Sequence, residues 1–468
     1  MNELLDTIDG IVWGPAMLVL ILGTGLYLQI RLRGMPIRMI GSGLRMIWKG
    51  RESDAGHGEV SPFSALMTCL AATIGVGNVV GVATAIALGG PGAVFWMWVT
   101  ALVGMATKYA EVVVAVQFRE RDEDGRFVGG PMYAIRNGMA GHWKWLGTTF
   151  AVFGGLAGFG IGNMVQANSI ADAVQDAFGI GNTLTGIVLV VITGAVVLGG
   201  LKRIAAIANW LVPFMAIAYV AGGLVVLATH AVEIPGAFVM IVSTAFTGTA
   251  ATGGFVGAAM ITAIRFGVAR GVFSNEAGLG TAGIVQAAGA SNNVIKSGLI
   301  GMMGTFIDTI VVCTITGLAI VITGAWTSGT SGAALTQLAF NSAMPGFGNA
   351  YVAIVLTVFA LTTIFGWAYY GERCWQFLFG KKIILPYRLL WTIAVMMGAT
   401  IQMETVWIIA DILNALMAIP NLVSLLVLAP VIVQLTDTQL RKVIEGTSPR
   451  AALEGEEMQG EQAQGKQI

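Results

Sequence analysis

Continuous apolar runs of about twenty residues recur along this chain and constrain its fold more than any other feature. A helix needs about 20 apolar residues to cross a bilayer, whereas membrane barrel strands are about ten residues long and alternate in polarity. The runs are continuous, so the sequence predicts an all-α polytopic membrane protein with eleven transmembrane helices. Their approximate bounds are 11–30, 62–88, 92–118, 146–178, 183–200, 204–229, 236–264, 297–324, 347–371, 386–403 and 406–435.

Composition narrows the class of protein further. Only 11% of the 468 residues are charged, against roughly 25% in a soluble domain. The formal net charge is zero, which argues against a nucleic-acid partner. The three cysteines fall in separate apolar runs and the three histidines at loops or span ends, so neither a disulfide framework nor a metal cluster is expected. The chain holds no phosphate-binding loop string, so it does not encode ATP-driven transport.

The basic residues predict an orientation. Connections that hold Lys and Arg alternate along the chain with connections that hold none. The connections without Lys or Arg are 89–91, 179–182, 230–235, 325–346 and 404–405. Because basic loops remain on the cytoplasmic side, the N-terminus is expected outside and the C-terminus inside, with the chain in the cell (inner) membrane.

Two spans contain Gly-rich interruptions. One is 71–78, which includes Gly75, Gly77 and Asn78, and the other is 245–254. An interruption frees backbone carbonyls and amides, which is tolerated where they line a cavity. The two spans run in opposite directions, and each begins a block of five helices. Such matched interruptions predict a transporter with a site near the bilayer midplane, although close helix packing is an alternative explanation of the glycines.

This arrangement predicts four regions. Residues 1–60 form an extra transmembrane helix and a basic cytoplasmic loop, and residues 61–230 form the first five-helix repeat. Residues 231–440 form the second repeat. Residues 441–468 are polar and are expected to form a disordered cytoplasmic tail.

Four strings in the sequence resemble those of the alanine/glycine–cation symporters, also called sodium:alanine symporters. They are Gly-Gly-Pro-Gly-Ala-Val-Phe-Trp-Met-Trp at 89–98 and the strings at 104–111, 129–133 and 274–282. The resemblance implies the leucine-transporter fold, a 5+5 inverted repeat with discontinuous helices. It also implies sodium-coupled symport of alanine, glycine or a similar small neutral amino acid into the cell by alternating access, with no cofactor. Proton coupling is the main alternative, and a channel or a membrane enzyme is less favoured; the oligomeric state stays open.

Ion-binding residues follow from the resemblance of 70–78 to the unwound first core helix of the leucine-transporter group. The sodium ligands that it implies are the carbonyls of Ala71 and Ile74 and the hydroxyls of Thr362 and Thr363. Asn78 is a further candidate through its side-chain oxygen. Asp308 is another, because an ionisable group near mid-membrane is a functional candidate by default. It could bind sodium, carry a proton or pair with another helix.

Substrate-binding residues are predicted around the same interruptions. They are Thr73, Gly75, Gly77, Phe246, Thr247, Gly248 and Thr249, together with Gln166 and Trp367. Phe246 is expected to cover the substrate, and Trp367 to limit the size of the pocket. Gln166 can both donate to and accept from a zwitterion, although an interhelical hydrogen bond would also explain it. Lys108 and Glu111 stand three residues apart and are expected to form a local ion pair or a cytoplasmic gate.

Overall fold

The computed structural model describes residues 2–49, 58–247, 256–291, 293–401 and 404–444, and nearly all of them are helical. The N-terminal helices are α1 Asn2–Val12, α2 Pro15–Arg31, α3 Met35–Arg38 and α4 Ile40–Lys49. The next eight are α5 Pro62–Thr73, α6 Val82–Gly89, α7 Gly92–Gln117, α8 Pro131–Gly138, α9 Lys144–Ala157, α10 Val165–Phe178, α11 Asn182–Val197 and α12 Gly200–Thr229. The strands β1 Glu120–Arg121 and β2 Phe127–Val128 pair antiparallel between α7 and α8.

The remaining helices follow in chain order. They are α13 Ile234–Thr247, α14 Val256–Asn275, α15 Thr281–Ala287, α16 Val294–Thr305, α17 Thr314–Ile322, α18 Gly332–Ala343, α19 Gly348–Phe379, α20 Ile384–Thr400 and α21 Glu404–Ile444. Three π-helical segments, Gly77–Gly81, Gly158–Met164 and Phe306–Cys313, precede α6, α10 and α17. Short 3-10 segments are Gly141–Trp143, Ala231–Glu233, Ala325–Ser328 and Lys381–Ile383.

The described residues contain eight helices that are long and apolar enough to cross a membrane. A ninth candidate is the pair Pro62–Thr73 and Gly77–Gly89, whose halves are bent by 50°. Two further apolar helices, Asn182–Val197 and Ala231–Thr247, are shorter. The all-α polytopic class is therefore confirmed, whereas the count of eleven spans, the orientation and the four regions stay predictions.

Helix α7 lies at the centre of the bundle, and α2, α14 and α16 pack around it. Small residues permit close approach: Gly298 and Gly301 of α16 face Tyr109 and Val112 of α7, where a Cβ would lie 2.8 and 2.7 Å from the side chains. Such small-residue contacts are the usual means by which membrane helices pack without a hydrophobic driving force.

The predicted span 236–264 was wrong in its bounds. Helix α13 ends at Thr247, and α14 begins at Val256 and continues to Asn275. Residues 248–255, which hold most of the predicted interruption at 245–254, lie outside the described residues. The structure also shows irregular backbone after α14, at residues 276–280. Of the predicted tail, only the last turn of α21, up to Ile444, is described.

Candidate functional site

The first break in the helices comprises residues 74–76. Helix α5 ends at Thr73, Ile74 is extended with φ −76° and ψ 94°, and the chain resumes in the π-helical segment Gly77–Gly81. The interruption turns α5 and α6 by 50° relative to each other. Backbone groups at residues 71–76 therefore lose helical partners and must find others, because an unpaired buried polar group is costly.

Two side chains accept hydrogen bonds from the backbone amides of the first break. The Gly75 N–H donates to Asn78 Oδ1 over 2.9 Å, and the Val76 N–H donates to Gln166 Oε1 over 3.2 Å. Gln166 also donates from Nε2 to the Ile161 carbonyl over 2.9 Å. Both amide side chains are buried. The predicted residues Gln166 and Asn78 are thus brought to the break, where they fix its backbone.

The carbonyls of the first break face Thr363 of α19. Its hydroxyl lies 3.2 Å from the Ala71 carbonyl oxygen and 3.5 Å from that of Ile74. The same hydroxyl lies 3.2 Å from the Phe359 carbonyl oxygen. One hydroxyl proton cannot serve three carbonyls, so the cluster has more acceptors than donors. An excess of buried oxygen acceptors is the chemistry that a hard cation requires.

Thr362 does not join this oxygen cluster. Its hydroxyl donates to the Phe359 carbonyl over 2.8 Å and lies 3.5 Å from Met215 Sδ on α12. Adjacent residues on a helix point about 100° apart, so only one of two neighbouring threonines can face the break. The structure therefore brings Thr363, but not Thr362, to the predicted ligands Ala71 and Ile74.

Glycine is required at two positions of this region. A Cβ on Gly75 would overlap the Thr363 hydroxyl and lie 3.1 Å from Gln166 Oε1. A Cβ on Gly77 would lie 2.9 Å from the Ser274 Cα atom and 3.2 Å from the Phe273 ring. Thr73 is buried, and its hydroxyl lies 3.4 Å from the Leu70 carbonyl oxygen. The predicted substrate residues Thr73, Gly75 and Gly77 are therefore buried at the first break, with Gly75 against Thr363 and Gly77 against Ser274.

The second break comprises residues 276–280, between α14 and α15. Glu276, Gly278 and Gly280 have left-handed φ values of 56°, 101° and 78°. The Gly77 contact with Ser274 and Phe273 brings this region of the chain against the first break. This segment belongs to the string 274–282, which resembles the sodium:alanine symporters but was not predicted as a break. Its pattern of Asn and two glycines after an apolar helix is nevertheless typical of a helix that ends in irregular backbone.

Glu111 of α7 accepts hydrogen bonds from backbone amides of the second break. Its Oε1 atom accepts hydrogen bonds from the Gly278 and Gly280 N–H groups over 2.8 and 3.0 Å, and from Asn421 Nδ2 over 2.8 Å. Asn421 Nδ2 also lies 2.8 Å from the Gly278 carbonyl oxygen. Lys108 Nζ makes no hydrogen bond within the described residues, so the structure does not show the expected pair with Glu111. The contact of Glu111 with this distant segment could not be read from the sequence.

Asp308 joins the two breaks. It lies in the π-helical segment Phe306–Cys313 and is fully buried. Its Oδ1 atom accepts from Asn78 Nδ2 over 2.7 Å, and its Oδ2 atom accepts from the hydroxyls of Ser274 and Thr309 over 2.8 and 2.7 Å. The two candidate ion ligands Asn78 and Asp308 are thus in contact, and Ser274, which was not among the predicted site residues, completes the group.

Trp367 supports the second break from α19. Its Nε1–H donates to Glu276 Oε1 over 2.7 Å, and the Thr281 hydroxyl donates to Glu276 Oε2 over 2.5 Å. The ring packs so closely on Gly162 that a Cβ there would overlap it. Trp367 is buried. It therefore lies between the helix that carries Gln166 and the second break.

Phe246 and Thr247 lie away from both breaks, contrary to the prediction. Phe246 is half exposed, and its ring lies 5.1 Å from that of Phe95 and 6.0 Å from that of Trp96. The Thr247 hydroxyl is exposed and donates to the Ser243 carbonyl over 2.9 Å. The physical reason is that α13 packs against the start of α7, beyond the far end of α6, roughly 18 Å of helix from Gly77. Gly248 and Thr249 lie outside the described residues.

Comparison with known proteins is decisive for the family. The sequence profile described as "Sodium:alanine symporter family" matches residues 1–452. The chain belongs to this family. It is 49% identical over 440 residues to "Sodium/alanine symporter AgcS" of Methanococcus maripaludis, which covers 93% of this chain and 96% of that protein. It is 36% identical over 456 residues to "Probable sodium/glutamine symporter GlnT" of Bacillus subtilis, which covers 96% and 94%.

A solved structure supports the fold of this family member. The crystal structure of MhsT in complex with L-phenylalanine matches with a TM-score of 0.56 at 14% sequence identity, covering 80% of this chain and 97% of MhsT. At that identity the likeness concerns the fold alone. It confirms the predicted leucine-transporter fold, and the family makes the chain a multi-pass membrane transporter rather than an enzyme.

Proposed function

We propose that this symporter couples the inward movement of sodium to that of a small neutral amino acid, with alanine and glycine as the first candidates. The observation that carries the proposal is the cluster of the Ala71 and Ile74 carbonyls with the Thr363 hydroxyl at the first break. A relative that is 49% identical to this chain has sodium and alanine in its name, which supports the proposal. Alternating access of this buried site to the two sides would complete the cycle, with the chain in the cell (inner) membrane.

Sodium at this cluster would be bound by oxygen lone pairs that accept no hydrogen bond. The Phe359 carbonyl can accept the Thr363 proton, since it lies 3.2 Å from the hydroxyl. The Thr363 oxygen would then present its lone pairs beside the two carbonyls of the break. The C-terminal end of α5 contributes partial negative charge at the same place.

Asp308 and Asn78 are proposed as a second ion-responsive group. The Asp308 carboxylate contacts Asn78 from the first break and Ser274 from the end of α14. A cation bound there would therefore favour one mutual arrangement of the two breaks. The alternative proposal of proton coupling places the transported proton on the same carboxylate.

The amino acid is proposed to bind against Thr73, Gly75 and Gly77, beside Gln166, with Trp367 behind the second break. The N-terminal end of the helix that resumes at Gly77 attracts a carboxylate. We no longer propose Phe246 and Thr247 for this role, because they contact the start of α7.

Uptake of labelled alanine into proteoliposomes tests the proposal. An inward sodium gradient should drive accumulation, and replacement of external sodium by choline should abolish it. Unchanged uptake in choline that follows an imposed proton gradient would contradict sodium coupling and support the proton alternative. A competitor panel of alanine, glycine, serine and glutamine identifies the substrate; the glutamine arm is included because a relative 36% identical carries that amino acid in its name.

A counterflow assay separates symport from a channel. Vesicles loaded with unlabelled alanine should accumulate labelled alanine when sodium is present on both sides. A channel conducts without a substrate-loaded intermediate, so it would give no transient accumulation above equilibrium.

A further inference from the structure

A cavity of about 220 Å³ lies outside the proposed transport site, where α12 and α20 begin and α19 approaches its end. The segment before α5 and the turn between β1 and β2 complete its lining. The ionisable residues that line it are Glu59, Arg126, Lys202, Arg373 and Arg388. Four of these five side chains are cations, and a concave surface lined by charges of one sign concentrates ions of the opposite sign. The cavity therefore favours an anion.

Arg373 lines the cavity with an N–H group that has no partner. Its side chain is only 3% exposed, and its Nε atom makes no hydrogen bond within the described residues. The Nη1 atom donates to Gln376 Oε1 and lies 3.8 Å from Asp122 Oδ2, and the Nη2 atom lies 3.6 Å from Glu372 Oε1. Because a buried N–H without an acceptor is costly, the free Nε atom indicates an acceptor that the chain itself does not supply.

The start of α12 adds backbone donors to the same lining. No side chain caps this helix at its N-cap residue, Gly199. The first N–H groups of a helix have no partner within it and carry partial positive charge, which favours a phosphate group. Arg388 lies against this helix start, because its Nη1 atom donates to the Leu198 carbonyl over 3.1 Å and a Cβ on Gly200 would lie 2.8 Å from its Nη2 atom. Helix amides and a guanidinium group therefore meet at one wall of the cavity.

Carboxylates near the cavity leave several of its donors free. Glu372 Oε2 accepts from Arg388 Nε over 2.6 Å, which leaves the Arg388 Nη2 atom beside α12. Arg126 lies 4.0 Å from Asp124, too far for a hydrogen bond. Lys202, in the first turn of α12, is exposed. The lining therefore keeps charged donors for an anion from outside the chain.

Exposed leucines border the cavity and indicate that the anion is part of a lipid. Leu198 directly precedes Gly199, and Leu385 and Leu389 lie beside Arg388 in the sequence of α20; all three leucines are exposed. Lipid tails are as apolar as leucine side chains, so such residues suit contact with acyl chains. Basic pockets between membrane helices bind anionic lipid headgroups. A soluble phosphate would gain nothing from the neighbouring leucines.

We propose that this cavity binds the phosphate group of an acidic phospholipid, whose acyl chains lie along the exposed leucines. Arg373 Nε and the first amides of α12 donate to the phosphate oxygens. Lys202 and Arg126 add positive charge without being buried themselves. Glu59, a carboxylate in the same lining, repels the phosphate and weakens its binding. The lipid site is separate from the two breaks and plays no part in the sodium coupling proposed above.

Native mass spectrometry of the detergent-purified full chain tests the proposal. The protein is titrated with phosphatidylglycerol, phosphatidylcholine or glycerol phosphate, and the affinity for the first bound molecule is measured. Lys202→Gln removes one positive charge from the lining, and Glu59→Gln removes the opposing negative charge. Lys144→Gln is the matched control, because Lys144 is also an exposed lysine at the start of a helix, α9, but lies outside the cavity.

The expected results are specific to the cavity. Wild type should bind phosphatidylglycerol in preference to phosphatidylcholine, and Lys202→Gln should weaken that binding about fivefold, as expected for one cation near an anionic headgroup. Lys144→Gln should leave it unchanged, and Glu59→Gln should strengthen it. Equal affinity for the two lipids, or equal losses in the two lysine variants, would overturn the proposal. Glycerol phosphate that binds as tightly as phosphatidylglycerol would also overturn it, because the cavity would then take a soluble phosphate.

Discussion

The first break leaves carbonyl oxygens facing a single hydroxyl, whereas the second break has its amides held by a carboxylate. At residues 74–76 two side-chain amides accept the freed N–H groups, and the surplus is of acceptors around Thr363. At residues 276–280 Glu111 and Trp367 make short hydrogen bonds from neighbouring helices. A membrane helix can thus be interrupted either to expose cation ligands or to fix the position of a segment.

Removal of the Glu111 carboxylate should give the largest effect, because the second break depends on it. Glu111→Ala leaves the Gly278 and Gly280 amides unpaired, and at about 1–3 kcal/mol for each group the free energy of unfolding should fall by about 2–6 kcal/mol. Glu111→Gln keeps an acceptor and should lose far less. Thermal unfolding of the detergent-purified protein measures both, and equal losses in the two variants would show that the amides do not depend on this oxygen.

A methyl group at the first break should be almost as damaging, but to transport. Gly75→Ala places a Cβ on the Thr363 hydroxyl, and overpacking of this kind costs about 1–3 kcal/mol. If the transport step bears this cost, uptake should fall about 5- to 150-fold. Initial alanine uptake, corrected for protein in the membrane, is the readout. Gly23→Ala is the control, since a Cβ there meets nothing within 4 Å. Similar losses in both variants would contradict the assigned crowding.

Two adjacent threonines test which hydroxyl binds sodium. Thr363→Ala removes the oxygen beside Ala71 and Ile74, and loss of one such ligand, about 1.4 kcal/mol, should raise the sodium concentration for half-maximal uptake about tenfold. Thr362→Ala removes a hydroxyl that faces Met215 and should leave sodium activation unchanged. A larger effect at Thr362 than at Thr363 would place the ion on the other face of α19.

Two phenylalanines give the smallest effects and compare the break at 276–280 with the predicted substrate cover Phe246. Phe273→Ala removes a ring in contact with Gly77 and should raise the KM for alanine. Phe246→Ala removes a half-exposed ring beside Phe95 and should change that KM less than about twofold, as is usual for surface substitutions. A strong effect of Phe246→Ala on KM alone would restore its predicted role over the substrate.

Local patterns in the amino-acid sequence predicted much of the first break and less of the second. The Gly75 and Gly77 interruption was visible in the sequence, and the family resemblance paired Ala71 and Ile74 with Thr363 because these residues occupy matching strings. Sequence could not choose between Thr362 and Thr363, since the choice depends on how α19 is rotated against α5. The interruption predicted at 245–254 lies mostly outside the described residues and stays a prediction, whereas the break after Ser274 was not predicted.

Long-range side-chain contacts explain why the break at 276–280 was not predicted. Glu111 bonds to Gly278 and Asp308 bonds to Asn78 across 167 and 230 residues, and no local periodicity carries such information. The buried position of Lys108 likewise follows from the packing of α7 and not from its spacing to Glu111.

Equilibrium binding of radioactive sodium to the purified protein tests the central claim most directly, because it needs neither transport nor a choice of substrate. Wild type and Thr362→Ala should bind sodium saturably with the same affinity, and Thr363→Ala should bind it about tenfold more weakly. Sodium binding by Thr363→Ala that equals the wild type would contradict the assignment of the first break as the coupling site.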